Sequence, residues 1–193
     1  MEKRLSLGLL MLLLTACAPT KHKTPQSSVE NKLSIVYNIH VPDKNKDDWE
    51  VMRMNMDGSE KKNITNHPDV AWTYHAYQNR LFFISDRDTS YRCFFLYECD
   101  PQGNKVKKIS DLRLEDSWMS TRNKGKEMIV TGRIGKAVRY QFFILNTSTG
   151  VYRQITTDTA AMYSDPCFSP DGKKLSLVTK RTAGTDQPMR SCT

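Results

Sequence analysis

No stretch of ten or more residues in this 193-residue chain keeps apolar positions at helical spacing with a cap at each end, which excludes a mainly helical fold. The interior holds no apolar run approaching the ~20 residues of a membrane-spanning helix. Catalytic signatures are missing as well. There is no GxSxG of a sheet-borne serine hydrolase, no HExxH of a zinc peptidase, no GxGxxG and no P-loop. Histidine is scarce. The four residues His22, His40, His67 and His75 form no Cys/His cluster at zinc spacing, so no metal and no other cofactor is expected. The formal charge is +8, yet no run of Lys or Arg interleaves with aromatics. The charge therefore reads as a basic, soluble surface, and no nucleic-acid partner is expected.

Cysteine is sparse, at five residues. Cys93 and Cys99 fall in one expected strand. If that strand is continuous they sit ~20 Å apart at ~3.3 Å per residue. A disulfide needs Cα atoms within ~7 Å, so they do not bridge each other. Cys99 and Cys167 are expected as small buried apolar residues. The alternative is that Cys167 or Cys192 pairs with Cys93 or Cys99 across sheets.

What the chain does have begins at its N-terminus. Residues 1–16 (MEKRLSLGLLMLLLTA) join a basic start at Lys3 and Arg4 to an apolar run from Leu5 to Leu14 and two small residues. The run is too short for a spanning helix and has the layout of a secretory signal. Leu14-Thr15-Ala16-Cys17 resembles a bacterial lipobox. That resemblance implies cleavage before Cys17, acylation of Cys17, and a membrane partner through the N-terminal lipid. By resemblance to bacterial sorting signals, Ala18 after the cysteine implies an outer-membrane location facing the periplasm. Residues 17–32 are polar, carry two prolines and read as a flexible tether.

From Leu33 the chain is strand-like and repetitive. A turn glycine recurs at Gly58, Gly103 and Gly150, in steps of 45 and 47. Asn63-Ile64-Thr65, Lys108-Ile109-Ser110 and Gln154-Ile155-Thr156 mark the end of a short strand at matching positions. The apolar strands Leu81–Ile84, Met128–Val130 and Leu175–Val178 recur about 47 apart. Val51, Leu96 and Phe142 share one parity in a further strand. The unit is drawn from Glu50 to Ser85, as strands Glu50–Asn55, Lys61–Thr65, Val70–Tyr74 and Leu81–Ser85. Leu33–Ile39 then reads as the last strand of an earlier unit, or as the strand that closes a ring. Ser169-Pro170-Asp171-Gly172 is a hairpin signal. Ala76–Asn79 and Arg122–Gly125 stand in its place in the earlier units. A period near 46 with four short strands is the pattern of a β-propeller blade.

The phrases NMDGSEKKNITNHP, FFISDRDTSYR and CFSPDGKKLSLVTKR resemble the TolB-type propeller repeat, over residues 33–181. The resemblance implies an all-β fold, a TolB-like β-propeller built of four-stranded antiparallel sheets. The count of units departs from that family: three units plus one strand make a partial propeller of about three blades, open or truncated, where a closed one has at least ~4. Residues 182–193 are expected as an irregular tail, consistent with a truncated product. An open arc completed by another chain is the alternative. Propellers of this type also occur in peptidases of the prolyl oligopeptidase group and in oligogalacturonate lyases.

No catalytic residue and no metal ligand is assigned. The candidate interaction or loop positions are His67, Trp72, Asp86, Arg87, Asp88 and Trp118. His67 precedes Pro68 and reads as a turn residue. Asp86 and Asp88 flank Arg87, and two carboxylates split by an arginine suit a hard cation poorly. The resemblance implies that these aspartates take backbone N–H groups in an inter-strand loop. Trp72 and Trp118 recur 46 apart, with Tyr163 near the next equivalent position. They either grip a sugar ring or pack between blades, and packing in the core is the favoured reading. The expected function is a lipid-anchored, non-catalytic scaffold that binds an envelope protein or cell-wall partner. The alternative is a fragment of a propeller enzyme, lyase-like or peptidase-associated.

Overall fold

The computed structural model describes residues 33–43, 46–89, 91–135, 137 and 139–181. The signal at 1–16, Cys17 and its lipid, the tether at 17–32, Cys192 and the tail at 182–193 lie outside the described residues. Every described residue is strand, turn or loop.

The strands form four antiparallel sheets. The first holds β1 (Ser34–Asp43), β2 (Lys46–Asn55) and β3 (Lys62–Asn63). The second runs in the order β4 (Ala71–Tyr77), β5 (Arg80–Ser85), β6 (Phe95–Cys99), β7 (Lys107–Lys108). In the third, β8 (Arg113–Leu114) and β9 (Ser120–Arg122) both pair with β10 (Glu127–Arg133), which pairs with β11 (Gln141–Asn146) and then β12 (Tyr152–Gln154). The fourth is the hairpin β13 (Ala161–Phe168) and β14 (Leu175–Arg181).

This grouping corrects the unit drawn from sequence. A unit from Glu50 to Ser85 straddles two sheets. Glu50–Asn55 and Lys62–Asn63 close the first sheet, whereas Ala71–Tyr77 and Arg80–Ser85 open the second. The strand containing Leu33–Ile39 pairs with β2 from Ser34↔Asn55 to Asp43↔Lys46, so it shares a sheet with Glu50–Asn55. Sequence repetition fixes a period but not its phase, because any starting point in a cycle repeats equally well.

The central strands explain the apolar runs. In β5 all residues from Leu81 to Ser85 are buried. Successive side chains point to opposite faces of a strand. Phe82 and Ile84 therefore enter one core cluster with Met128, Val130, Phe143 and Leu145 of the third sheet. Leu81 and Phe83 enter another with Val51 and Ile64 of the first sheet and its linker. Ile129, on the opposite face of β10 from Met128 and Val130, joins Phe142, Ile144, Tyr163, Phe168 and Leu175. Each inner sheet is thus apolar on both faces, and each fully buried Phe stabilises the stack by about 1.5–3 kcal/mol.

The isoleucine that ends each short strand, and the threonine after it in the first and third, form a hydrogen-bond device. The N–H groups of Ile64, Ile109 and Ile155 donate to the carbonyls of Val51, Leu96 and Phe142 at 2.8, 2.8 and 2.9 Å. In the first and third units the threonine side chain then accepts the N–H that the short strand leaves open, whereas Ser110 in the second donates to Gly150 O. Val51 N–H donates to Thr65 Oγ1 at 3.0 Å, and Phe142 N–H to Thr156 Oγ1 at 2.8 Å. Thr65 in turn donates to the buried Glu50 carboxylate. Thr65→Val strands a buried N–H and is expected to destabilise the fold by about 2 kcal/mol. Thermal unfolding would show it, with Thr65→Ser close to the parent. A Thr65→Val protein as stable as the parent would sink this account.

The turn glycines do more than turn. Gly103 has φ +82° and Gly150 φ +74°. A Cβ on Gly103 would lie 2.3 Å from the Ile64 carbonyl oxygen, and one on Gly150 would lie 2.1 Å from that of Ile109. Each turn therefore presses its backbone against the preceding sheet. The Ser169–Gly172 segment forms the β13–β14 hairpin as expected, with Gly172 N–H donating to Ser169 O at 2.8 Å. Ala76–Asn79 and Arg122–Gly125 make the corresponding β4–β5 and β9–β10 turns.

Two cysteine expectations are corrected. Cys93 does not lie in one strand with Cys99. The ladder begins at Phe95, and Phe94 instead bridges Leu114. Cys93 is disulfide-bonded, and its partner is neither Cys99 nor Cys167, which are both free. Cys99 is buried as expected, and burial pushes its thiol up to about 12. Cys167 is exposed rather than buried, because it sits where β13 breaks register and turns its side chain outward.

Candidate functional site

All three tryptophans of the chain, Trp49, Trp72 and Trp118, line one cavity of about 350 Å³. β1 contributes Asn38, β2 contributes Trp49, and β4 contributes Trp72, Thr73 and Tyr74. The segment between β8 and β9 supplies Asp116, Ser117 and Trp118, and β13 supplies Asp165. Three sheets thus meet a fourth at this point.

The local backbone explains why these side chains converge. The β4–β5 register shifts between Ala71 and Tyr74, and the β13–β14 register shifts between Ser164 and Cys167. A bulge inserts an unpaired residue and re-aims its side chain. Trp72 and Thr73 fall in the first bulge, and Asp165 falls in the second. Asp165 has φ +54°, a left-handed conformation that Asp tolerates. Trp72, Trp118 and Asp165 occupy equivalent positions, at steps of 46 and 47.

The aromatic walls are ordered. Trp49 and Trp72 meet edge to face with ring centroids 4.6 Å apart. Both also pack against the core cluster shared by the second and third sheets. Trp118 is 64% exposed. The core expected for the two repeating tryptophans is therefore half right for Trp72 and wrong for Trp118, which stands exposed in the segment between β8 and β9. Tyr163 does not line the cavity. It packs against Phe142 at 5.3 Å, and Asp165 takes the third equivalent place.

The polar groups are held by a chain of short bonds. Thr73 Oγ1 donates to Asp116 Oδ1 at 2.7 Å. Asp165 N–H donates to Ser117 Oγ at 2.7 Å, and Ser164 Oγ donates to Asp165 Oδ2 at 3.1 Å. Asn38 Nδ2 donates to the carbonyls of Glu50 and Ala71 at 3.3 and 3.2 Å. Tyr74 Oη donates to Val36 O at 2.8 Å. Desolvation by the cavity walls pushes the Asp116 carboxyl above its ordinary value. Hydrogen bonds from Thr73 and Trp72 and the charge of Arg92 offset this in part, while Asp165 adds to it.

The other candidate positions lie elsewhere. His67 Nδ1 is 3.2 Å from Asp69 Oδ2, and its backbone N–H donates to Glu50 Oε1 at 3.0 Å, so it sits within a local turn. Asp86 and Arg87 are buried and Asp88 is exposed. Asp86 Oδ2 accepts the Arg92 N–H at 2.7 Å. The Arg87 guanidinium lies over the Phe83 and Tyr97 rings, at 5.1 and 5.3 Å. None of these four lines the cavity. Among the described residues, no group of three His, Cys, Asp or Glu side chains is placed to share a metal ion. Asn38, Trp49, Thr73, Tyr74, Asp116, Ser117 and Asp165 were not legible as site residues. The one available signal was the acidic and small residues around the repeating aromatic position, in Asp116-Ser117-Trp118 and Ser164-Asp165.

No protein-family model matches the sequence, and no curated protein matches it. Among solved structures the chain is similar to TolB from Acinetobacter baumannii, with a TM-score of 0.60 and 17% identity over 74% of this chain and 35% of that one. It is also similar to an oligogalacturonate lyase in complex with manganese, with a TM-score of 0.54 and 15% identity over 74% of this chain and 40% of that one. The chain spans 35–40% of the length of these proteins. What it shares with them is the fold, an all-β, TolB-like β-propeller arrangement of antiparallel sheets.

Proposed function

We propose that this chain is a non-catalytic binding module of the bacterial cell envelope, held at a membrane by lipid on Cys17. Its recognition site is the tryptophan-lined cavity, and its partner is an envelope protein or a cell-wall component. The single observation that carries this reading is the convergence of all three tryptophans with Asp116 and Asp165 on one open cavity. Exposed aromatic side chains beside firmly held polar groups are the anatomy of a binding site. The lipobox-like start at Leu14–Cys17 supports the envelope location, and a disulfide at Cys93 suits an oxidising compartment.

The test uses the full lipidated chain as bait on solubilised envelope membranes and on isolated cell walls. Capture should exceed that of a control carrying residues 1–32 alone. Trp118→Ala should weaken it by at least about 30-fold, the typical loss when an aromatic hot spot is truncated. Trp118 is exposed, so this variant should melt like the parent. Capture equal to that of the control, or indifferent to Trp118→Ala, would overturn the reading. Turnover of polyuronate with added manganese would instead favour the enzyme alternative.

A further inference from the structure

The geometry points to an organic cation, a primary ammonium or a guanidinium, as the group that the tryptophan-lined cavity takes. This inference rests on the proposed role of the cavity as a ligand site, and adds the chemistry of the ligand.

The argument is one of hydrogen-bond supply. Nearly every donor in the cavity wall is already engaged with the protein. The Thr73 hydroxyl donates to Asp116, the Tyr74 hydroxyl to Val36 O, and both Asn38 amide bonds end on backbone carbonyls. The Ser117 hydroxyl donates to Asp165 Oδ1 at 3.5 Å, and Trp72 donates to Asp116. Trp49 Nε1 is buried with no partner, which leaves the Trp118 indole as the one exposed donor among the tryptophans. Acceptors remain in surplus, since an ionised carboxylate offers about four lone-pair sites. Asp116 and Asp165 use only part of theirs, and Asn38 keeps its carbonyl oxygen. The aromatic faces add negative quadrupoles, which attract cations. A neutral sugar brings as many acceptors as donors and would leave its acceptors unmet. A hard metal ion wants several oxygen ligands in one cage, and the described residues hold no such group.

A second observation points the same way. The chain itself places a guanidinium at this edge. Arg92 Cζ stands 5.6 Å from the Trp72 ring centroid, and its charge acts on Asp116. The site already attracts the kind of group that it is inferred to bind. Arg92 lies beside the cavity and is not part of its lining. Asp116 and Asp165 bring two carboxyl groups to the cavity wall, against the single guanidinium of Arg92 beside it.

Because every tryptophan lies in the cavity, intrinsic fluorescence of the full chain in detergent reports occupancy directly. The cationic probes are Nα-acetyl-lysine amide, Nα-acetyl-arginine amide and glucosamine. The neutral counterparts are Nα,Nε-diacetyl-lysine amide and N-acetylglucosamine. Saturable change with a cationic probe and none with its neutral counterpart is expected. Lysine or arginine amide binding best marks a basic protein side chain as the source, and glucosamine binding best marks an amino sugar. Asp116→Asn combined with Asp165→Asn should weaken binding at least about tenfold, the scale of a lost charge-assisted contact. Arg92→Ala should tighten it roughly threefold by removing a competing charge. The second variant keeps the test decisive if the first fails to fold.

Neutral probes binding as tightly as cationic ones, or Arg92→Ala weakening binding, would overturn the inference. If a neutral probe binds and Trp118→Ala abolishes it, the cavity remains the recognition site and only its charge preference is wrong. If no probe binds, the inference falls. Envelope capture that still depends on Trp118 would then leave the binding-module reading standing.

Discussion

Gly103→Ala and Gly150→Ala each cost the fold about 3 kcal/mol, from a left-handed residue forced on an L side chain plus overpacking against backbone. Gly58→Ala, by contrast, costs only about 1 kcal/mol, the backbone share alone. The three glycines share the turn and a positive φ of +82°, +82° and +74° for Gly58, Gly103 and Gly150. They differ in what lies opposite. A Cβ at Gly103 or Gly150 runs into a peptide carbonyl of the preceding sheet, at 2.3 and 2.1 Å, whereas one at Gly58 meets nothing within 4 Å. Ile64 and Ile109 lie just past β3 and β7, but their N–H groups are tied to Val51 O and Leu96 O, so these carbonyls cannot swing aside as a flexible side chain can. The sheets would have to part by about an ångström, which loosens apolar contacts packed to crystal-like density. Urea unfolding of the three single variants checks this. Equal losses at all three positions would show that only the turn conformation matters and that the sheet-to-sheet contact is slack.

Arg80→Ala lowers stability by about 2 kcal/mol, because it removes one member of a half-buried ion pair and leaves Glu98 with only the exposed Lys107 at 3.4 Å. Arg80 grips Glu98 with two parallel bonds, Nε to Oε1 at 2.7 Å and Nη2 to Oε2 at 2.9 Å. The same guanidinium donates to Thr147 Oγ1 at 3.1 Å and to Gly125 O at 3.3 Å in the third sheet, and it lies 4.6 Å over the Phe82 ring. It therefore ties the β4–β5 hairpin to its neighbour. Arg80→Lys keeps the charge but not the planar fork, and should recover less than half of the loss. Acid behaviour gives a second check. Burial pushes the Glu98 carboxyl up, but the hydrogen bond and charge of Arg80, with help from Lys107, outweigh it and hold the carboxyl below its ordinary value. A carboxyl depressed in the folded state adds stability that is fully present above its unfolded pKa of about 4.3. That share is lost as pH falls through the lower folded value. The gap in melting temperature between parent and Arg80→Ala should therefore be constant at neutral pH and shrink below about pH 4. A gap that persists at pH 2 would mean that Arg80 acts by packing and not by its partnership with Glu98.

The repeat was legible because each of its landmarks has a local cause. Ile64, Ile109 and Ile155 recur because a two- or three-residue edge strand must end on a fixed backbone bond. Thr65 and Thr156 follow them because a hydroxyl is the smallest group that satisfies the next open N–H. Apolar runs such as Leu81–Ile84 recur because both faces of a middle strand are covered. The phase of the repeat was not legible, since it depends on which strands pair, and pairing is a long-range property. The site was half visible. Trp72 and Trp118 stood out by spacing, but spacing does not say whether a ring turns inward or outward. That is set by the register shift at Ala71–Tyr74 and by the open strand start before Ser120. Asn38 and Trp49 come from a different sheet, and no local pattern ties them to Asp116. Cys167 misled for a related reason, because alternation fails across a bulge.

The two bulges set the residues that hold the fold apart from those that line the cavity. On either side of Trp72-Thr73 and Asp165-Pro166 the ladders keep their pairing and the core keeps its alternation. Residues inside the bulges are released from the pairing register, although Trp72 keeps one side against the core. A lineage carrying this architecture is thus free to exchange the chemistry of the cavity, ring for carboxylate as between Trp118 in the segment before β9 and Asp165 in its bulge, without re-solving the interior. Sequence drift among descendants should gather at these few places and, on the proposed role of the cavity, alter ligand preference well before thermal tolerance.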